Sequence, residues 1–165
     1  MRGRGGGTYG VVVTATYRTF DIFPFTGISN NITFSTPEIA KKVITKFVQL
    51  HSSLSNAEWG GYAGWSNASL SYIYVAPNIS LSEANATISP FIDYALSVVD
   101  NPQDVQIQLY PFNSFYEFIQ DGFSAPGGSG GLVELTSRLM SRKMAQEQPE
   151  KVAEMTLAVG DLGFL

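Results

Sequence analysis

The sequence predicts an α+β fold, in which an antiparallel or mixed sheet carries helices on one face and leaves the other face free. Runs of β-branched and aromatic residues alternate with two amphipathic segments of helical spacing. Two of the strand-like runs follow each other with no helix between them, which favours an antiparallel pair. The length of 165 residues fits one domain with a substantial core.

The strands are predicted from composition and from the glycine and proline residues that bound them. In chain order they are a long strand over 8–20, a short one over 30–35, an irregular one over 59–65, one over 70–75 and a strictly alternating one over 105–112. Residues 21–29 contain Pro24 and Gly27 and are predicted to form a connector. The segment 124–131 is predicted to be a flexible loop.

Capping signals predict where the helices begin. Thr36 followed by Pro37 is typical of a helix start, and Ile39, Val43 and Phe47 follow at helical spacing. Ser80 and Glu83 have the spacing of a capping box. The helix that begins there is predicted to run toward Val98, with a kink or break at Pro90. Further helices are predicted from an Asn113 cap through Phe118 and over 149–158.

Alternation along the strands predicts which side chains share a face of the sheet. We expect the aliphatic face to pack on the helices, and the opposite face to carry uncharged, polar-tipped side chains. The predicted members of that second face are Tyr72, Tyr74, Gln106, Gln108 and Tyr110. Aromatic walls with a few polar groups are typical of ligand pockets, so these five are the candidate substrate-side residues. The competing interpretation is a merely solvated face.

Composition excludes several classes of function. The net charge of −4 and pI near 4.9 argue against nucleic acid as the main partner. The absence of cysteine excludes a disulfide framework, a thiolate metal site and a cysteine nucleophile. With one histidine, His51, no histidine-rich metal cluster can form, and His51 itself is expected to be a solvated residue near a helix end. No segment reaches the length of a membrane span.

Four of the eight asparagines lie in N-x-S/T sequons. The predicted acceptors are Asn31, Asn67, Asn78 and Asn85. This enrichment indicates a secreted protein or one of the secretory pathway, whose leader is not in this chain. A bias in a chain rich in serine and asparagine would produce the same pattern.

A glycine cluster stands directly before the first predicted strand. Glycines allow a backbone to approach a ligand closely and expose its amide groups. The run over 5–13 is not the G-x-G-x-x-G of a dinucleotide fold, since no strand precedes it and no helix follows it. It is not a P-loop either, since no G-K-S/T is present. It is either a ligand loop or a plain flexible lead-in.

The run GRGGGTYGVVVTATYRTF resembles the closing segment of the flavin-binding domain in berberine-bridge-enzyme-like FAD-linked oxidases, of the vanillyl-alcohol-oxidase superfamily. The runs YIYVAPN and QLYPFNSF and the Ser137-Arg138-Leu139 element resemble that family's substrate domain. The resemblance implies that 1–18 form the last strand of the FAD-binding domain and 19–165 an incomplete substrate-binding domain. The implied cofactor is FAD, with its cleft lined by Gly6, Gly7, Thr8, Tyr9, Gly10, Val11 and Val12.

The resemblance further implies an oxidoreductase. A hydride would pass from a C–H bond of an alcohol or amine to flavin N5, usually with oxygen as the final acceptor. The family's histidine-bearing FAD region has no match here, so we expect this chain to be a fragment that is inactive alone and partnered by the missing FAD-binding half and a small-molecule substrate. The alternatives are a secreted carbohydrate-binding module and an α+β domain without a ligand.

Overall fold

The structure is a computed structural model that describes residues 13–19, 21–123 and 139–160. Its elements are β1 (Phe25–Thr33), α1 (Pro37–Asn56), β2 (Gly60–Trp65), β3 (Ser69–Pro77), α2 (Leu81–Val98), β4 (Val105–Phe112), α3 (Phe115–Phe123), α4 (Arg142–Glu147) and α5 (Pro149–Gly160). The four strands form one sheet in the order β2-β3-β1-β4, and every pairing is antiparallel. This βαββαβ arrangement is the ferredoxin-like topology, so the α+β prediction is confirmed.

One face of the sheet carries the hydrophobic core. Helices α1 and α2 cover that face, and α4 and α5 pack against α1. The fully buried side chains at the centre of this core are Ile28, Ile32, Val43, Phe47, Leu70, Ile88 and Phe91. The Nε1 of Trp65 donates a hydrogen bond of 3.0 Å to Thr156 Oγ1, which links the edge strand β2 to α5.

The two long helices begin at the residues that the sequence predicts. The Thr36 side chain accepts from the Ile39 amide, and Ser80 and Glu83 form the complete capping box. Helix α2 continues past Pro90 to Val98. At α3 the predicted cap is wrong by one residue, since Ser114 Oγ, rather than Asn113, accepts from the Glu117 amide. Helix α4 was not predicted.

Strand β1 is longer than predicted and begins at Phe25, within the expected connector. It is a central strand, hydrogen-bonded to β3 on one side and to β4 on the other, and this pairing extends it through Gly27. A Cβ at Gly27 would lie 3.0 Å from Cε2 of Phe112. Gly27 is therefore not a turn residue; it makes room for the Phe112 ring.

The predicted strand over 8–20 is wrong in its described part. Residues 13–19 have no strand conformation and their side chains are exposed. They pair with no strand of the sheet, and strand propensity without a pairing partner does not make a strand. Residues 8–12, residue 20 and the predicted loop over 124–131 lie outside the described residues. Of the helices that the structure describes, none has the length and apolar character needed to cross a membrane.

Candidate functional site

The sheet has an open face that α1 and α2 do not cover. The strand register places on it Gly27, Ser29 and Asn31 of β1, Ser71, Ile73 and Val75 of β3, Gln106, Gln108 and Tyr110 of β4, and Gly60 and Tyr62 of β2. Helix α3 packs against one end of this open face, where the ring centroids of Phe112 and Phe118 are 5.3 Å apart. The face is therefore a shallow floor with a wall at one end.

Hydrogen-bonding side chains occupy the side of the open face that is formed by strands β1 and β4. Ser29, Asn31, Gln106 and Gln108 surround a shallow depression of about 610 Å³. The Tyr110 hydroxyl donates a hydrogen bond to Gln108 Oε1. This polar strip confirms that Gln106, Gln108 and Tyr110 lie away from the main helical layer, as the alternation predicts.

On the side of the open face that is formed by strands β2 and β3 lies an apolar hollow of about 470 Å³. Its floor is Tyr62, Ile73 and Val75 beside Gly60 and Gly61, and its wall is the α3 side chains Phe115, Phe118 and Ile119. No charged side chain of the described residues lines the hollow. A concave apolar surface next to a few polar groups is the usual composition of a small-molecule site.

The prediction that Tyr72 and Tyr74 lie on the open face is wrong. Both are buried beneath α1, where the Phe47 ring stacks on Tyr72 at 5.1 Å and on Tyr74 at 6.2 Å between centroids. A tyrosine ring buries more apolar area than an isoleucine or valine side chain. The aromatic side of β3 therefore faces the core, and Ile73 and Val75 face the opening.

His51 is coupled to the buried end of this tyrosine pair. Its Nδ1 lies 3.2 Å from the Phe47 carbonyl oxygen, which can only accept, so Nδ1 carries the proton. Its Nε2 therefore accepts from the Tyr74 hydroxyl at 2.8 Å. Burial lowers the pKa of His51, against a smaller opposing effect of the Phe47 carbonyl. His51 is thus a half-buried structural residue and not the solvated one expected.

Burial also raises the tyrosine pKa values. The pKa of Tyr74 rises to about 12, and that of Tyr72 rises further because Tyr72 is more deeply buried and Tyr74 lies beside it. The Asn30 amide lies close enough to Tyr72 to favour the phenolate slightly. Neither the Tyr72 hydroxyl nor the Asn30 amide makes a hydrogen bond of good geometry within the described part of the chain. Neither phenol is placed to act on a ligand at the open face.

The sequence reasoning missed Tyr62, Ile73, Val75 and the α3 side chains as lining residues. A signal for β3 was present, because Leu70 and Ala76 share the alternation of Tyr72 and Tyr74, whereas Ser69 and Ser71 share that of Ile73 and Val75. The longer strand thus has an unbroken apolar side and a side that begins with two serines. The contribution of α3 depends on tertiary packing and has no such local signal.

The charge pattern of the open face limits what it can bind. Among its described residues there is no lysine or arginine, and the adjacent sequence of α3 contains neither. Such a surface can cover an uncharged ring system but offers no cation to a diphosphate. In the described ranges no cluster of three or more acidic or histidine side chains is placed to hold a metal ion. The predicted cofactor residues 6–12 lie outside the described residues.

The four sequon asparagines differ in their positions. Asn31 is on the open face, in the polar strip. Asn67 lies in the β2–β3 turn, and Asn78 follows β3 with a φ of 55°. Asn85 is exposed on α2, on the helical side of the molecule.

Two comparisons with known proteins agree with this architecture, whereas no family model matches the chain. Two proteins of Arthroderma benhamiae described as uncharacterized FAD-linked oxidoreductases are 29% and 24% identical to it, over 99% and 94% of the chain. The chain spans only 30% and 28% of their lengths. The sequence is thus similar to one part of FAD-linked oxidoreductases.

Solved structures agree in fold. The VAO-type flavoprotein MtVAO615 of Myceliophthora thermophila superposes with a TM-score of 0.72 at 14% identity, over 86% of this chain and 26% of that one. A second, MtVAO713, has a TM-score of 0.51 at 19% identity, over 80% of this chain and 27% of that one. The chain therefore has the fold of about a quarter of a VAO-type flavoprotein.

Proposed function

We propose that the chain is the substrate-domain part of a longer FAD-linked oxidoreductase, and that its open sheet face covers the flavin ring. The observation that carries this proposal is the uncharged open face, in which a polar strip adjoins an apolar hollow. The sequence similarity to FAD-linked oxidoreductases over nearly the whole chain supports it. Within that group, the glycine-rich start and the QLYPFNSF run favour the berberine-bridge-enzyme-like branch.

The described residues fit the ring of FAD but not its diphosphate. Gln106 and Gln108 offer hydrogen-bonding groups and no formal charge, which suits a flat ring with carbonyl and ring-nitrogen atoms. No basic side chain of the described open face is available for the diphosphate. We therefore infer that a further part of the enzyme holds that end of the cofactor.

When bound, FAD would supply a hydride acceptor at N5 for the C–H bond of an alcohol or amine; the O–H or N–H proton would pass to solvent, and oxygen, the proposed acceptor, would be reduced to hydrogen peroxide as the flavin is reoxidised. This chain would orient the substrate between the ring and the open face. The Tyr110 hydroxyl would hold the substrate's polar group, while the apolar hollow would exclude water from beside it.

The test is to express the open reading frame that contains this chain together with its flanking sequence. We expect a purified protein with a flavin absorbance spectrum that is bleached anaerobically by its substrate and restored by oxygen. A protein that remains colourless when FAD is supplied during refolding would contradict the proposal.

A matched pair of variants tests whether the open face meets the flavin. Gln108→Glu adds a negative charge to that face, so the flavin absorption and redox potential should shift toward a less easily reduced ring. Gln103→Glu adds the same charge at an exposed position before β4, outside the open face, and should leave both unchanged. Equal effects of the two variants would show that charge alone, and not its position, is responsible.

A further inference from the structure

The apolar hollow has a composition that selects between ligand classes. Among the described side chains that line it, the Tyr62 hydroxyl is the one polar group; the rest are Ile73, Val75, Phe115, Phe118 and Ile119. A sugar ring placed there would lose water from several hydroxyls and find few hydrogen-bond partners, which is costly. A flat or branched hydrocarbon group would gain from the same burial.

Gly60 keeps this hollow open. It lies on edge strand β2, opposite Val75 and on the open face, and an added Cβ would meet no atom within 4 Å. A larger side chain at position 60 would therefore extend into the hollow without a backbone clash. Gly64 lies on the same strand and face, opposite Ser71, and also has open space above it, but it does not line the hollow.

The hollow and the polar strip are at a fixed spacing. Val75 and Tyr110 both pair with Gly27, one on each side, so their backbones are separated by two strand spacings, about 10 Å. A single molecule of moderate size can therefore place an apolar end in the hollow and a hydrogen-bonding group at Tyr110.

We propose that the hollow is a substrate subsite for an apolar, ring-sized group, and that Gly60 determines how large that group can be. That the ligand is a substrate rests on the proposed function. That the hollow binds an apolar group rests on the geometry of this chain alone. It assigns the enzyme to substrates with a hydrocarbon or aromatic end and not to free carbohydrates. Its volume of about 470 Å³ is within the range of small-molecule pockets.

The test uses the 165-residue chain and two probes, indole and methyl glucoside, followed by amide NMR. Indole should shift the amides of Tyr62, Ile73 and Ile119 to saturation, and methyl glucoside should not. Gly60→Leu should weaken indole binding at least about tenfold, whereas the matched control Gly64→Leu should change it by less than about twofold. Ile119→Gln, a change at a partly exposed α3 position, should weaken binding too and guards against misfolding of the first variant.

Three results would overturn the subsite: indole shifts confined to other residues, glucoside binding as tight as indole binding, or equal effects of the two glycine variants. The outcome is separable from that of the proposed function, since no flavin is needed. If the longer protein binds flavin but its affinity for indole is unchanged by Gly60→Leu, the subsite is overturned and the proposed function is not. Indole binding that follows the variants, in a protein that never takes up flavin, supports the hollow and overturns the oxidase.

Discussion

At the scale of single residues, Tyr72 and Tyr74 both pack against the Phe47 ring, but Tyr72 is the more deeply buried and the hydrogen bonding of their hydroxyls differs. The Tyr74 hydroxyl donates to His51 Nε2, whereas that of Tyr72 has no partner of good geometry among the described residues. A buried hydroxyl with a partner contributes to stability, and one without a partner does not.

Replacing each tyrosine by phenylalanine should therefore give different results. Tyr74→Phe removes a hydrogen bond and leaves His51 Nε2 without a donor, so we expect a loss of about 1 kcal/mol of unfolding free energy. Tyr72→Phe should change it by less than about 0.5 kcal/mol, or increase it. Urea denaturation of both variants measures this. A larger loss for Tyr72→Phe would mean that its hydroxyl has a partner, such as a buried water.

His51 predicts how stability depends on mild acid. Because burial lowers its pKa, the unfolded chain takes up a proton near pH 6.5 before the folded chain does. Stability should therefore fall as pH decreases from about 7.5 to about 5.5, above the range in which carboxylates titrate. His51→Gln should flatten this decrease in urea denaturation curves measured across that range. An unchanged slope in the variant would assign the dependence to another group.

The two buried tyrosines predict how stability depends on alkaline pH. Their pKa values are raised, so above about pH 10 the unfolded chain releases phenolic protons that the folded chain retains. Stability should be complete below that pH and decrease above it. In a spectrophotometric titration two phenols should ionise late, that of Tyr74 near pH 12, and Tyr62→Phe, which removes an exposed phenol, should not alter these late steps.

For single residues, the sequence predicts which side chains share a side of a strand, but not always which side faces the core. The alternation correctly separated Tyr72 from Ile73 and Gln106 from Ile107, since it follows from strand geometry. The short run over 72–75 does not show which side of β3 faces the helices, because both of its sides are apolar; the signal lies in the residues on either side of it. That choice depends on Phe47 of α1, whose ring packs against both tyrosines from elsewhere in the chain.

At the scale of elements, β2 is an edge strand with three glycines, which differ in the space available for a Cβ atom. A Cβ at Gly61 would collide with the Ile73 carbonyl oxygen and the Tyr74 ring, and lie 2.8 Å from Tyr74 Cα. Gly60 and Gly64 have nothing within 4 Å of that position. Gly61 therefore allows β2 to approach β3 beneath the Tyr74 ring.

Alanine at position 61 should be strongly destabilising. We expect Gly61→Ala to cost about 1–3 kcal/mol of unfolding free energy, since β2 must shift to relieve the overlap. Gly64→Ala on the same strand should be close to neutral and serves as the control. Thermal or urea unfolding of the two variants provides the comparison, and similar midpoints for both would contradict the assigned contact.

The elements that could be predicted are those whose signals are local. The caps at Thr36 and Ser80 and the alternation of β4 are complete within short segments, and both helices and that strand were predicted correctly. The start of β1 was not, because Pro24 and Gly27 have the composition of a loop. Its strand conformation depends on pairing with β3 and β4, which lie about 45 and 80 residues further along the chain.

At the scale of the whole molecule, the helices give one face of the sheet a complete core, whereas among the described residues only α3 packs against the other face. Net charge is −4, and the described open face carries no basic side chain. The polar strip and the hollow could be predicted only in part, since their wall comes from α3.

This asymmetry predicts that the 165-residue chain does not retain FAD. The open face can contact one side of the ring but has no cation for the diphosphate among its described residues. After mixing with FAD and desalting, we expect no flavin absorbance in the protein fraction, while a longer protein containing the same chain retains it. Stoichiometric retention by the chain alone would contradict this and locate a phosphate site within the 165 residues.

Asn31 gives the open face one more consequence. If the chain passes through the secretory pathway, glycosylation of the sequon at Asn31 would place a branched oligosaccharide in the polar strip of the surface that a second layer would have to cover. A glycan attached to Asn31 and a flavin-bearing layer packed on the open face cannot occupy the polar strip at the same time. Glycopeptide mass spectrometry of the mature, yellow protein should accordingly find Asn31 bare, even where Asn85, on the far helical side, is decorated.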